Sequence, residues 1–112
     1  VITGVFDFVP ETARRPYITL GEAIETPDNT HSGYGRQTLL TLHVWTEIRG
    51  YAQGNAIVDR LVALLDHQPL TITGRRWIST RLEFAQALPD PDPRIRHHVL
   101  RFRITSTILQ EV

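Results

Sequence analysis

The chain has no cysteine, no methionine, no surplus of either charge and no long apolar run. Without cysteine there are no disulfides, no thiolate zinc sites and no thiol nucleophiles, and nothing points to an oxidising compartment. Twelve Lys+Arg balance twelve Asp+Glu, so the domain as a whole has no electrostatic reason to seek phosphate backbones or anionic lipid. No apolar stretch reaches the ~20 residues of a membrane span. The opening VITGVFDFVP lacks the basic and apolar regions of a signal peptide. Because the chain starts at Val1 and holds no methionine, the expectation is that residues preceding Val1 are missing from it.

What remains is an ordinary globular composition: 112 residues, 41% hydrophobic and 21% charged, with seven glycines and seven prolines. Such a length makes one domain, residues 1–112, with a radius of gyration of roughly 13 Å and one core. Four stretches alternate apolar and polar residues with the period of a half-buried strand. In Tyr17 to Glu25 the inward set is Ile18, Leu20 and Ile24; in Thr38 to Glu47 it is Leu40, Leu42 and Val44. Arg76 to Leu88 turns Ile78, Leu82, Phe84 and Leu88 inward, and His97 to Ile108 turns His98, Leu100, Phe102, Ile104 and Ile108. Val5 to Phe8 is a shorter strand ended by Pro10, and LTIT at Leu70 to Thr73 turns at Gly74 toward the strand after it.

Ala52 to His67 follows a different period. Ile57, Val58, Leu61, Val62, Leu64 and Leu65 cover an arc of about 160° at 100° per residue, wide enough to pack on a sheet. Gly50 precedes this helix and Pro69 stops it. The resulting fold class is α+β: an antiparallel or mixed sheet of about four to six strands with an amphipathic helix on one face. The polar connection from Thr26 to Arg36 is longer than a tight hairpin needs, and LPDPDPR, Leu88 to Arg94, joins the last two long strands with a stiff tip.

The inventory for catalysis is poor. His97 and His98 are adjacent, so on a strand they point to opposite faces and do not share one metal ion. His31, Asp28 and Ser32 are the residue types of a hydrolytic triad, but a triad needs a rigidly oriented base, and loop composition explains them better. Asp90 and Asp92 alternate with proline as turn formers. Gly33 and Gly35 lack the following Lys-Ser/Thr of a phosphate loop. An enzyme reading would rest on His43, His97 or His98; no cofactor and no metal site are implied.

The remaining feature is the sheet face turned away from the helix, which the alternation assigns to Tyr17, His43, Trp45, Trp77, Arg81, Glu83, Arg101 and Arg103. Tryptophan, tyrosine and arginine anchor interfaces because they join large buried area to a polar handle. The alternative is a solvated face on which Arg81 and Glu83 pair across strands with Arg101 and Arg103, the tryptophans being covered by a missing N-terminal element. In both, His43 is a neighbour of Trp45 on a contact surface.

VFDFVP at Val5 to Pro10, RPYITLGEA at Arg15 to Ala23, TPD at Thr26 to Asp28, TLHVWTEIRGYAQGNAIVDRLVALLD at Thr41 to Asp66, LTI at Leu70 to Ile72 and PDPDPRIRHHVLRFRI at Pro89 to Ile104 occur in an order that resembles the tail terminator (tail completion) proteins of long-tailed phages and phage-derived gene transfer agents. The similarity spans nearly the whole chain. It implies a non-enzymatic virion protein of the tail and neck, assembled in the host cytoplasm. Such subunits form a six-membered ring on the head-proximal end of the tail tube, stop its growth and dock the head connector. The implied partners are identical copies, the tail tube protein and the head-tail connector or stopper, with DNA passing through the channel unbound and no membrane involved. Family members usually carry a further helix before the VFDFVP-like segment, which this chain does not show. The runner-up is another neck ring, a head-tail stopper.

Overall fold

The structure is a computed structural model describing residues 2, 4–10, 13–27, 35–47, 51–92 and 94–108. Its strands are β1 (Val5–Phe6), β2 (Tyr17–Pro27), β3 (Gly35–Thr46), β4 (Arg75–Pro89) and β5 (Arg96–Ile108), and its helix is α1 (Ala52–Leu65). They form one five-stranded mixed sheet in the order β1-β2-β3-β5-β4. Only the β1–β2 pair is parallel. The α+β expectation, a mixed sheet with an amphipathic helix on one face, is met. Two expected strands are corrected: Val5 to Phe8 shortens to two residues, and Leu70 to Thr73 is irregular chain, closed by Arg75 N–H donating to Ile72 O at 3.1 Å around Gly74 at φ 75°. Asp28 to Tyr34 of the long connection, with His31, and also Gly50 and Pro93, lie outside the described residues.

The core forms where α1 crosses β3 and β5. Leu42, Val44, Leu100 and Phe102 on the inner face pack with Ile18 and Val58, flanked by Ile57, Leu61, Val62 and Leu65. Each such side chain contributes about 1.5–3 kcal/mol on leaving water. α1 has no side-chain N-cap bond, no acid in its first turn and no base in its last, so packing rather than end chemistry holds it. At 100° per residue Gly54 falls in the middle of the apolar arc. There the helix backbone rests on the buried His98 ring, whose Nε2 meets Asn55 Oδ1 at 3.0 Å. At the other end Asp66 Oδ1 accepts Leu82 N–H at 2.8 Å, and His67 N–H donates to Thr80 O at 2.7 Å. The helix is thereby pinned to β5 at its start and to β4 at its end.

Irregularities in β2 and β4 overturn part of the expected inward sets. A shift between Leu20 and Ala23 leaves Leu20 opposite Leu42 but puts Ile24 opposite Leu39, on the outer face. In β4, shifts between Trp77 and Ser79 and between Leu82 and Phe84 turn the alternation over twice. An extra residue in a strand moves everything beyond it to the other face. Phe84 and Leu88, expected inward, therefore pair with Arg101 and His97 on the outer face; Ile78 sits within the first bulge, 48% exposed.

The expected compact radius is also corrected: it is 16.2 Å, and the molecule measures 54 × 25 × 22 Å. A twelve-residue strand spans about 40 Å, whereas a fourteen-residue helix spans about 21 Å. α1 covers about half the sheet's length, which leaves Leu20 44% exposed, and Leu64, at the margin of the apolar arc, 52% exposed.

Gly54→Ala tests the His98 seat. A Cβ there would collide with the His98 ring. The helix preference gained, up to about 1 kcal/mol, is outweighed by overpacking of roughly 1–3 kcal/mol. We expect a lower melting temperature for Gly54→Ala by thermal circular dichroism, and a smaller loss when the same change is made in a His98→Ala background.

Candidate contact face and its relatives

The outer face is organised around a stack of rings that register alone explains. Tyr17, Trp45, His97 and Leu88 occupy one row across β2, β3, β5 and β4, and Thr19, His43, Val99 and Gln86 the next. Within it the Trp45 and His97 rings are nearly parallel, centroids 3.9 Å apart and planes 9° apart. Trp45 Nε1–H donates to Thr19 Oγ1 at 3.0 Å. His43 Nδ1 and His97 Nε2 are 2.7 Å apart, so one ring donates its N–H to the bare nitrogen of the other. Further along, the Arg101 guanidinium lies 5.0 Å over the Phe84 ring, with its Nε–H 3.4 Å from Thr41 Oγ1, and Arg103 forms an ion pair with Glu83.

Of the eight residues expected on this face, Tyr17, His43, Trp45, Arg81, Glu83, Arg101 and Arg103 are there, and Trp77 is not. Trp77 pairs with Ser106 on the helix side, where its Nε1–H donates to Thr80 Oγ1 at 2.8 Å. Conversely, His97, Phe84 and Leu88 were missed. His97 was legible as opposite in face to His98, and His98 does point inward, 3% exposed; Phe84 and Leu88 were hidden by the β4 bulges. All twelve basic residues are arginine, a composition suited to stacking and forked hydrogen bonding.

The chemistry available is that of contact. Among the described residues no three of His, Cys, Asp and Glu converge as a metal-ligand set. Asp90 and Asp92 are turn formers: Asp90 Oδ1 accepts Asp92 N–H and Asp92 Oδ1 accepts Arg94 N–H, each at 2.9 Å. A groove of about 520 Å³ beside α1 is walled chiefly by Ile2, Ile18, Ile57, Leu61 and Leu64, with Gln53 and Arg60 also on its lining. No helix among the described residues is long and apolar enough to cross a membrane.

Fold and face together define a small α+β domain with a strip of stacked rings on its outer sheet surface. The model of the tail completion protein gp17 family matches residues 1–107, and the chain belongs to that family of structural phage tail proteins. It is 29% identical over 90 residues to the tail completion protein gp17 of Bacillus phage SPP1. That match covers 80% of this chain and 66%, just under two thirds, of the relative's length. Its fold matches a chain in the virion of a native gene transfer agent particle, at a TM-score of 0.84 and 23% identity, covering 94% of this chain and 79% of that one.

Burial lowers the pKa of His43, with Glu22 partly opposing. Burial also lowers His97, reinforced by His43 and His98 and opposed by Asp90, and burial alone lowers His98. The unfolded chain therefore takes up protons first as pH falls below the ordinary value of 6.5. Stability is fully present above that value and declines as pH falls toward the depressed folded values. Asp92, held low by its hydrogen bonds from Arg94, does not titrate in this window. We expect the melting temperature to fall between about pH 7 and about pH 5, and less so in His43→Gln/His97→Gln. Equal slopes for the two proteins would show that the pair contributes nothing.

Proposed function

We propose that this chain is the tail terminator subunit: it forms a ring, six-membered as the family resemblance implies, on the head-proximal end of the tail tube, halts tube growth and presents the surface on which the head connector docks. The observation that carries this reading is the outer sheet face. Tyr17, His43, Trp45, His97, Phe84 and Arg101 form a strip of rings and guanidinium on it, met at the Tyr17 end by Phe6 and Arg15. Membership of the tail completion family supplies the setting.

Size is consistent with such a role. A standard interface buries about 800 Å² per partner, so two ring contacts would take roughly a fifth of the 7779 Å² of accessible surface. Further contacts of the same size above and below would raise this to about two fifths. Balanced charge suits a conduit through which DNA slides.

Loss of the gene should give overlong or headless tails. DNA-filled heads that leak, beside tails of normal length, would identify a stopper instead. Trp45→Ala and Arg101→Ala proteins that melt normally should fail to join tails to heads, by about tenfold or more in particle yield if each is an interface anchor. Normal yield from both would remove the outer face from the joint.

A further inference from the structure

Resting on the ring reading, we infer that neighbouring copies join head to tail by setting the acidic, apolar flank of β2 against the basic, apolar flank of β4. Two sides of the sheet are unlike in the way such a contact requires. Beyond its two residues of pairing with β1, β2 continues to Pro27 with no strand on that side among the described residues. This stretch carries Glu22 and Glu25 with exposed Leu20 and Ile24, and no base. On the opposite margin β4 carries exposed Arg76 and Arg81 with exposed Ile78, and its acid, Glu83, is paired with Arg103; neither Arg76 nor Arg81 has an ion-pair partner among the described residues. Glu25 reaches Arg36 at 3.5 Å, but both side chains are more than half exposed, a pairing too weak to withhold Glu25 from a neighbour.

Level and direction also agree. Ile24, Leu39, Arg103 and Arg81 form one row of paired residues, and Glu25, Thr38, Ile104 and Thr80 the next. Copies side by side at one height thus bring Ile24 level with Arg81, and Glu25, on the other face of the sheet, one row away. β2 and β4 run in opposite senses, as three successive antiparallel pairings from β2 to β4 require. An unflipped neighbour therefore meets β2 with an antiparallel β4. The joint is made by side chains and not by a continuous ladder, because Thr80 O and Leu82 N–H are already taken by His67 and Asp66.

The test is a charge exchange, with Arg76→Glu/Arg81→Glu in one protein and Glu22→Arg/Glu25→Arg in another, each checked for folding by thermal melting and scored by electron microscopy for occupancy at tail ends. Each alone should lose at least about tenfold in occupancy, since like charges would meet at every joint. Co-expressed, they should recover it, because copies alternating around the ring meet only opposite charges. If a reversed protein melts early, the neutral pairs Arg76→Gln/Arg81→Gln and Glu22→Gln/Glu25→Gln replace it, and their assembly should be less salt-sensitive than wild type. Wild-type occupancy by both reversed proteins, or a mixture as defective as either alone, would overturn the flank assignment and leave the ring intact. Wild-type protein absent from tail ends would overturn the ring reading and this joint with it.

Discussion

The short helix sets the terms for the rest of the molecule. A sheet face has to be covered to become a core, and α1 is about half as long as the strands beneath it. Where it lies, Val44, Leu100 and Phe102 are closed off almost completely. Beyond it Leu20 is left exposed on the same face. Both ends of α1 are fixed by specific contacts, Gly54 against His98 and Asp66 to Leu82, so it cannot slide to cover more. The exposure of Leu20 is thus a direct consequence of where the helix is fastened.

Much of this was legible in the chain. Alternation located the four long strands, and the 3.6 period located α1 with its apolar stripe. Gly54 in the middle of that stripe was an unread sign that something large lies beneath, and His98 proved to be it. Bulges were not legible. Nothing in RRWISTRLEF says which residue is the extra one, because a bulge is set by partner register and not by local pattern. One inserted residue is enough to carry Trp77 to the helix side, and a second carries Phe84 and Leu88 to the outer side. The face residues on β3 and β5 were correctly placed because those strands pair without a shift from Gly35 to Thr46.

Histidine is the residue most open to misreading here. Two imidazoles 2.7 Å apart beside a tryptophan look like the start of a metal or acid–base site. Yet one ring stacks on Trp45, each ring occupies the other's nitrogen, and the described acids do not complete a ligand set with them. Burial favours the neutral form of both. A neutral, flat, hydrogen-bonded pair at neutral pH is a good contact surface, since it offers ring area without the desolvation cost of a buried charge.

A subunit that joins its copies head to tail, as we propose for this chain, must also avoid doing so without end, because a heterologous contact closes into a ring only when its rotation is right and otherwise grows a filament. Bare strand edges are the least discriminating way to join, since any register offers backbone partners. The turn after α1 removes that option along the middle of β4 by engaging Thr80 O and Leu82 N–H. What remains on that margin is a pattern of side chains, and a pattern of charges with apolar residues between them specifies level and angle in a way that a backbone ladder does not. The same turn that fastens the helix therefore makes the middle of β4 unfit for indiscriminate edge pairing.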